Sequence, residues 1–154
     1  MSTILTTHLG IDAPVDAVWL TLVSLTTYHR WNPFITSAAG TLGVGERLDL
    51  TILPRGGRPR RSRPWVTAVE DHRYLEWLER LGLPGILDGR HSFTITPTAS
   101  GRTLLQQSKT FSGALVPLSR SPLIWTRTGF DAMNAALAAE ATRLANRHRH
   151  GGLD

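Results

Sequence analysis

Apolar and polar side chains alternate through two segments in the second half of the chain. In "RHSFTIT" His91, Phe93 and Ile95 oppose Ser92, Thr94 and Thr96. In "TLLQQSKTF" Leu105, Gln107, Lys109 and Phe111 oppose Leu104, Gln106, Ser108 and Thr110. A period of two belongs to a strand with one buried and one solvated face. The same signal, bounded by Gly, Pro or Asp, runs through "TILTTHLGID", "FITSAAGTL", "ERLDLTILP", "RPWVTAVED" and "RYLEWLERL", giving seven predicted strands. The separators "GVG", "RGG", "DH" and "ASG" are short enough for an antiparallel meander. "GLPGILDG" is longer and reads as a loop with some packing of its own.

Helical spacing appears at two places. After the first strand, Val15, Val18, Trp19 and Leu22 form one apolar face behind Pro14, and "TTYHRW" adds a further turn. That turn should stop near Asn32, because Pro33 disfavours the α region in the residue before it. Phe130, Met133, Leu137, Ala141 and Leu144 predict a long helix from about Pro122 to about Arg147. The order is strand, two short helices, six strands, long helix. It reads as one α+β domain over residues 1–147 with a flexible tail at 148–154. A long helix laid against a curved antiparallel sheet encloses a volume, and where side chains do not fill it there is a pocket.

Alternation also names the side chains that face that volume: His91, Phe93, Gln107, Lys109 and Phe111, with Trp77 and Glu79 from "YLEWLERL", where Tyr74 and Leu78 mark the opposite face as the alternative. The long helix would add Phe130, Met133 and Asn134. Trp65 and Trp77 could stack on an aromatic ligand or pack in the core. The stretch "YHRWNPF" crowds Tyr28, Trp31 and Phe34 around Asn32-Pro33. It predicts a corner where Trp31 and Phe34 anchor the helix pair and cover the cavity end, with the Tyr28 hydroxyl near the opening.

Composition narrows the class. At 154 residues, 41% hydrophobic and 19% charged, the chain suits one globular domain. No apolar run approaches the roughly 20 residues of a bilayer span, and "MSTILTTHLG" lacks the charged start and apolar run of a secretory signal. A cytoplasmic location is expected. Without cysteine there is no disulfide, thiolate nucleophile or Cys-based metal site. The histidines lack the paired spacing of a metal centre, and no phosphate-binding glycine motif is present, so no metal or cofactor is expected. The net charge of +5 gathers in "RGGRPRRSRP" and "RHRHGGLD". Without a nucleic-acid motif, these arginines read as a solvated hairpin, the alternative being a docking patch for phosphate, an acidic partner or nucleic acid.

The strings "IDAPVDAVW", "YHRWNPFI", "VGERLDL", "VTAVEDHRYLEWLERLGLPGILDGRHSFTITPT", "TLLQQSKTFSG" and "GFDAMNAAL", in this order and spacing, resemble the START-like, birch-pollen-allergen-like superfamily (SRPBCC) and its polyketide cyclase/dehydratase and lipid transport branch. The resemblance implies a helix-grip fold: a seven-stranded antiparallel sheet around the C-terminal helix, enclosing an apolar cavity for a hydrophobic or aromatic small molecule. It does not imply one reaction.

Three functions follow. The first is a cyclase or dehydratase of lyase or isomerase type. In it Lys109 or His91 polarises a ligand carbonyl, Glu79 or His91 acts as base, or Lys109 forms a Schiff base. The second is a non-catalytic carrier, in which Glu79 and Lys109 form an ion pair and His91 is simply hydrogen-bonded. The third is a protein-interaction module of the chaperone-activator kind working through the arginine hairpin. Monomer and homodimer are both compatible with the sequence.

Overall fold

The computed structural model describes residues 2–116 and 120–151. Its elements are β1 (Ser2–Ile11), α1 (Val15–Val23), a 3₁₀ turn (Leu25–Thr27), α2 (Tyr28–Trp31), β2 (Ile35–Ala39), β3 (Asp49–Ile52), β4 (Arg60–Ser62), β5 (Trp65–Glu70), β6 (Tyr74–Leu81), β7 (Leu87–Pro97), β8 (Thr103–Ser112) and α3 (Arg120–His150). Strands β1-β8-β7-β6-β5 form one antiparallel sheet and β2-β3-β4 another. The two meet along the free edge of β5, where Gly45 donates to the Val66 carbonyl and Leu48 to that of Pro64. The result is a curved sheet gripping a long C-terminal helix.

Eight strands replace the seven predicted. The extra one, β4, lies inside the arginine-rich segment read as a solvated hairpin. Pro59 and Pro64 flank it and cannot donate to a ladder, which confines pairing to Arg60–Ser62. The predicted loop "GLPGILDG" is also shorter, because β7 starts at Leu87 and pairs it with Leu81. At the other end α3 continues to His150, into the predicted tail, and residues 152–154 lie outside the described residues.

The core sits between the sheet and α3. Phe130, Met133, Leu137, Ala141 and Ala145 line the buried face of α3, and Leu75, Phe93, Ile95 and Leu105 meet them from the sheet. Leu144 is only half-buried, so the stripe drifts onto Ala145, as 3.6 residues per turn requires over this length. Each large apolar side chain removed from water contributes about 1.5–3 kcal/mol.

One corner fixes how closely the smaller sheet approaches the helix. Asn32 is extended, at φ −86° and ψ 113°, as expected before Pro33. Its side-chain carbonyl accepts hydrogen bonds from the Phe34 and Ile35 amides at 3.0 and 2.9 Å. That aims the Phe34 ring at α3, where it lies over Gly129 and edge-on to Phe130, with ring centres 5.9 Å apart. A methyl group at position 129 would overlap the Phe34 ring.

A glycine-to-alanine change in a helix normally adds about 1 kcal/mol of stability. Here Gly129→Ala should lower it by about 1 kcal/mol, because the overpacking cost of about 1–3 kcal/mol outweighs the helix gain. Urea unfolding of Gly129→Ala in the wild-type and Phe34→Ala backgrounds checks this. The effect should change sign when the ring is removed, and stabilisation in both would show that Phe34 swings aside freely.

Candidate functional site

A cavity of about 300 Å³ opens where the two sheets splay apart near the described start of α3. Phe34, Ile52, Leu87, Phe111 and Trp125 supply apolar wall, and Arg58, Arg60, Glu79 and Lys109 supply charge. A wider, more open groove of about 720 Å³ lies on the other side of Phe34, between the 53–57 loop and the outer face of α3. The smaller cavity is the candidate site, because inward-facing side chains of β6, β7 and β8 converge on it.

Its floor is built by register. Glu79 of β6 pairs with Gly89 of β7, which pairs with Phe111 of β8. Having no side chain, Gly89 lets the Lys109 stem lie across its backbone; an added Cβ would sit 2.8 Å from Lys109 Cε. Lys109 thereby reaches across β7, and its Nζ stands 3.2 Å from Glu79 Oε2. The other carboxylate oxygen, Oε1, accepts from Arg60 Nη1 at 2.6 Å and Ser62 Oγ at 2.8 Å. Burial by itself would raise the Glu79 pKa. The Lys109 charge and the Arg60 and Ser62 hydrogen bonds override it and bring the carboxyl down to about 2. Glu79 is therefore a firmly ionised carboxylate with every oxygen engaged.

Behind this pair the interior is filled. The His91 ring stacks between Phe93 and Phe130, with centre distances of 4.7 and 4.8 Å, and Trp77 stands edge-on to it at 5.0 Å. Burial, reinforced by the Lys109 charge, holds the His91 pKa well below its ordinary value, so the ring is neutral. Its Nε2 accepts from Gln107 Nε2 at 2.9 Å. Gln107 also reaches Met133 Sδ at 3.6 Å, and Asn134 donates to Thr7 Oγ1 at 2.9 Å. The Gln107 and Asn134 side-chain carbonyl oxygens are buried and take no hydrogen bond from the described residues.

Of the residues singled out in the sequence, four line the cavity: Phe34, Glu79, Lys109 and Phe111. Trp77, His91, Phe93, Gln107, Phe130, Met133 and Asn134 face the same interior but pack it. Three lie elsewhere. Tyr28 is fully buried rather than near an opening, and its hydroxyl donates to the Leu22 carbonyl. Trp31 anchors the helix pair, its ring 5.0 Å from that of Tyr28, and does not line the cavity. Trp65 lies under the Arg47 guanidinium, 4.1 Å from the ring centre, away from the cavity.

Sequence reasoning missed Arg58, Arg60 and Trp125. The alternation rule contained the first two: in "RPRRS" positions 58, 60 and 62 share a face. Arg60 and Ser62 accordingly turn to Glu79, while Arg61 turns out to Asp49. Among the described residues no three His, Asp or Glu side chains gather to hold a metal ion, and no helix is long and apolar enough to cross a membrane.

One family model, described as polyketide cyclase / dehydrase and lipid transport, matches residues 3–149. No curated protein matches the chain. Solved structures share the fold. An aromatase/cyclase from Streptomyces sp. R1128 is 16% identical, with 93% of this chain and 95% of that chain covered and a TM-score of 0.76. Norcoclaurine synthase from Thalictrum flavum, solved with dopamine and hydroxybenzaldehyde, is also 16% identical, with coverages of 93% and 88% and a TM-score of 0.72. A protein from Mesorhizobium loti is 23% identical, with coverages of 92% and 98% and a TM-score of 0.73.

Because the folded-state pKa of Glu79 is depressed, its contribution is present above the unfolded carboxyl value near 4.5 and is lost as pH falls towards about 2. The magnitude is on the order of 3 kcal/mol. Denaturant unfolding between pH 5 and pH 2 should show this loss in the wild type. Glu79→Gln should be destabilised already at pH 7 and lack that part of the slope. Parallel pH profiles for the two proteins would mean that the carboxylate is not tied as described.

Proposed function

Since the chain belongs to the polyketide cyclase / dehydrase and lipid transport family, we propose that it binds one small aromatic molecule in the 300 Å³ cavity, between Phe34, Phe111 and Trp125. The observation that carries this reading is an apolar wall closed over a buried ion pair. Ligand sites are mostly apolar, with a few placed polar groups that fix orientation. The volume lies at the lower end of the usual range of roughly 300–1,000 Å³, which suits one or two rings. The stack of Trp77, His91, Phe93 and Phe130 occupies the space that a larger polycycle would need. The single-ring compounds in the norcoclaurine synthase structure agree with that size.

Turnover is the second reading, and Lys109 supports it. Its ammonium lines the cavity and can donate to a ligand carbonyl oxygen as negative charge develops there during cyclisation or dehydration. The base proposed from the sequence is less well served. A carboxylate held near pKa 2 with both oxygens engaged is a feeble proton acceptor at neutral pH. His91 is neutral, but it sits behind the ion pair and its Nε2 is committed to Gln107. The pairing of Lys109 with Glu79 likewise suits a donor better than a Schiff-base amine. Catalysis on this frame rests on positioning and polarisation.

Native mass spectrometry of gently purified protein, with extraction of anything bound, tests the binding reading. A stoichiometric small aromatic is the expected result. Trp125→Ala should then weaken rebinding roughly tenfold, about 1.4 kcal/mol of lost ring contact. Empty protein that also ignores single-ring and two-ring aromatics in calorimetry would sink it. Once a ligand is in hand, Lys109→Met separates the two readings: an enzyme loses product formation while retaining binding, and a carrier shows no product in either form.

A further inference from the structure

From the charge balance of the cavity we infer that its ligand ends in an oxyanion, specifically an aromatic carboxylate; this rests on the cavity being the ligand site. Three cationic side chains, Arg58, Arg60 and Lys109, line it against one carboxylate, Glu79. The surplus of two positive charges is not compensated by any other acidic side chain in the lining.

Hydrogen-bond capacity points the same way. Glu79 spends Oε1 on Arg60 and Ser62 and Oε2 on Lys109. A lysine ammonium has three donors and an arginine guanidinium five. Lys109 makes one side-chain hydrogen bond, to Glu79, and Arg60 makes one, to the same group. Arg58 makes neither an ion pair nor a side-chain hydrogen bond among the described residues. The charged part of the lining therefore offers spare donors of one sign and almost no acceptor. A neutral hydroxyl or amide uses few of them. A carboxylate takes several at once, and a guanidinium fork can grip it through two parallel bonds.

Geometry keeps Lys109 in place. Lys109 is fixed by the bare backbone of Gly89 beneath it and by Glu79 beside it, with its side chain only 11% exposed. A charge-assisted contact gains strength where water is largely excluded. Arg58 and Arg60 stand on the more exposed hairpin, one residue apart on the same face. The ligand's ring would lie between Phe34 and Phe111, with its acidic end against the cations of the lining.

Isothermal titration calorimetry of the full chain with 2-naphthoate, 2-naphthamide and 2-naphthyl phosphate tests the inference. The carboxylate should bind about tenfold more tightly than its amide, and raising the salt should narrow that gap. A phosphate that outbinds the carboxylate would replace the carboxylate with phosphate as the head group. Arg58→Gln removes a side chain that makes no ion pair or side-chain hydrogen bond among the described residues, and Gly89→Ala displaces the Lys109 end without removing a charge. Both variants should fold, and each should reduce the acid-to-amide preference several-fold. Amide binding equal to or tighter than acid binding overturns the oxyanion while leaving the cavity reading intact. An acid preference untouched by salt and by both variants also overturns it, since the acid would then be read elsewhere. No binding of any of the three compounds removes both readings together.

Discussion

One buried carboxylate holds the open end of this molecule together. Glu79 belongs to the five-stranded sheet, while Arg60 and Ser62, which share its Oε1, belong to the three-stranded one. Lys109, two strands away in the first sheet, takes Oε2. Among the described residues, backbone bonds join the sheets along the 45–48 segment and the edge of β5. Beyond it the β4 side chains Arg60 and Ser62 reach across to Glu79. A buried carboxylate is costly unless its lone pairs are filled, so the chain must bring all three donors to it. The cavity is the space that this requirement leaves around the ion pair.

The same requirement limits the chemistry. The donors that make Glu79 tolerable in the interior also make it a poor base. A carboxylate serving as base needs a raised pKa and a free oxygen, and this one has neither. The cations gain from the arrangement. They are more numerous than the carboxylate can neutralise, so the lining carries net positive charge. Polarisation of a carbonyl and retention of an acid draw on the same surplus, which is why a carrier and a cyclase can look alike in static form.

Much of the fold was legible because it depends on local periodicity. Alternation located the strands that carry His91, Lys109 and Glu79, and Pro33 located the corner at Asn32. The failures share a cause: they depend on contacts that periodicity does not encode. Nothing near Tyr28 says that its hydroxyl will turn inward to Leu22. Nothing near Trp65 announces that Arg47 will cover it. The arginines of the hairpin are exposed as read, but three residues of β4 are paired and two of their side chains meet a carboxylate 17 and 19 positions away. Composition described the segment; alternation would have described its faces.

The aromatic stack behind the ion pair decides what the fold can hold. A grip of sheet and helix encloses a volume whatever its sequence, and side chains divide that volume between core and ligand. Here His91 completes a run of rings from Trp77 through Phe93 to Phe130 and shortens the cavity to its outer end. A leucine at position 91 would fill comparable space without needing Gln107 as a partner. Gln107 in turn keeps a buried carbonyl oxygen that takes no hydrogen bond from the described residues. The imidazole is held neutral by burial and by the Lys109 charge, so loss of that charge would ease its protonation.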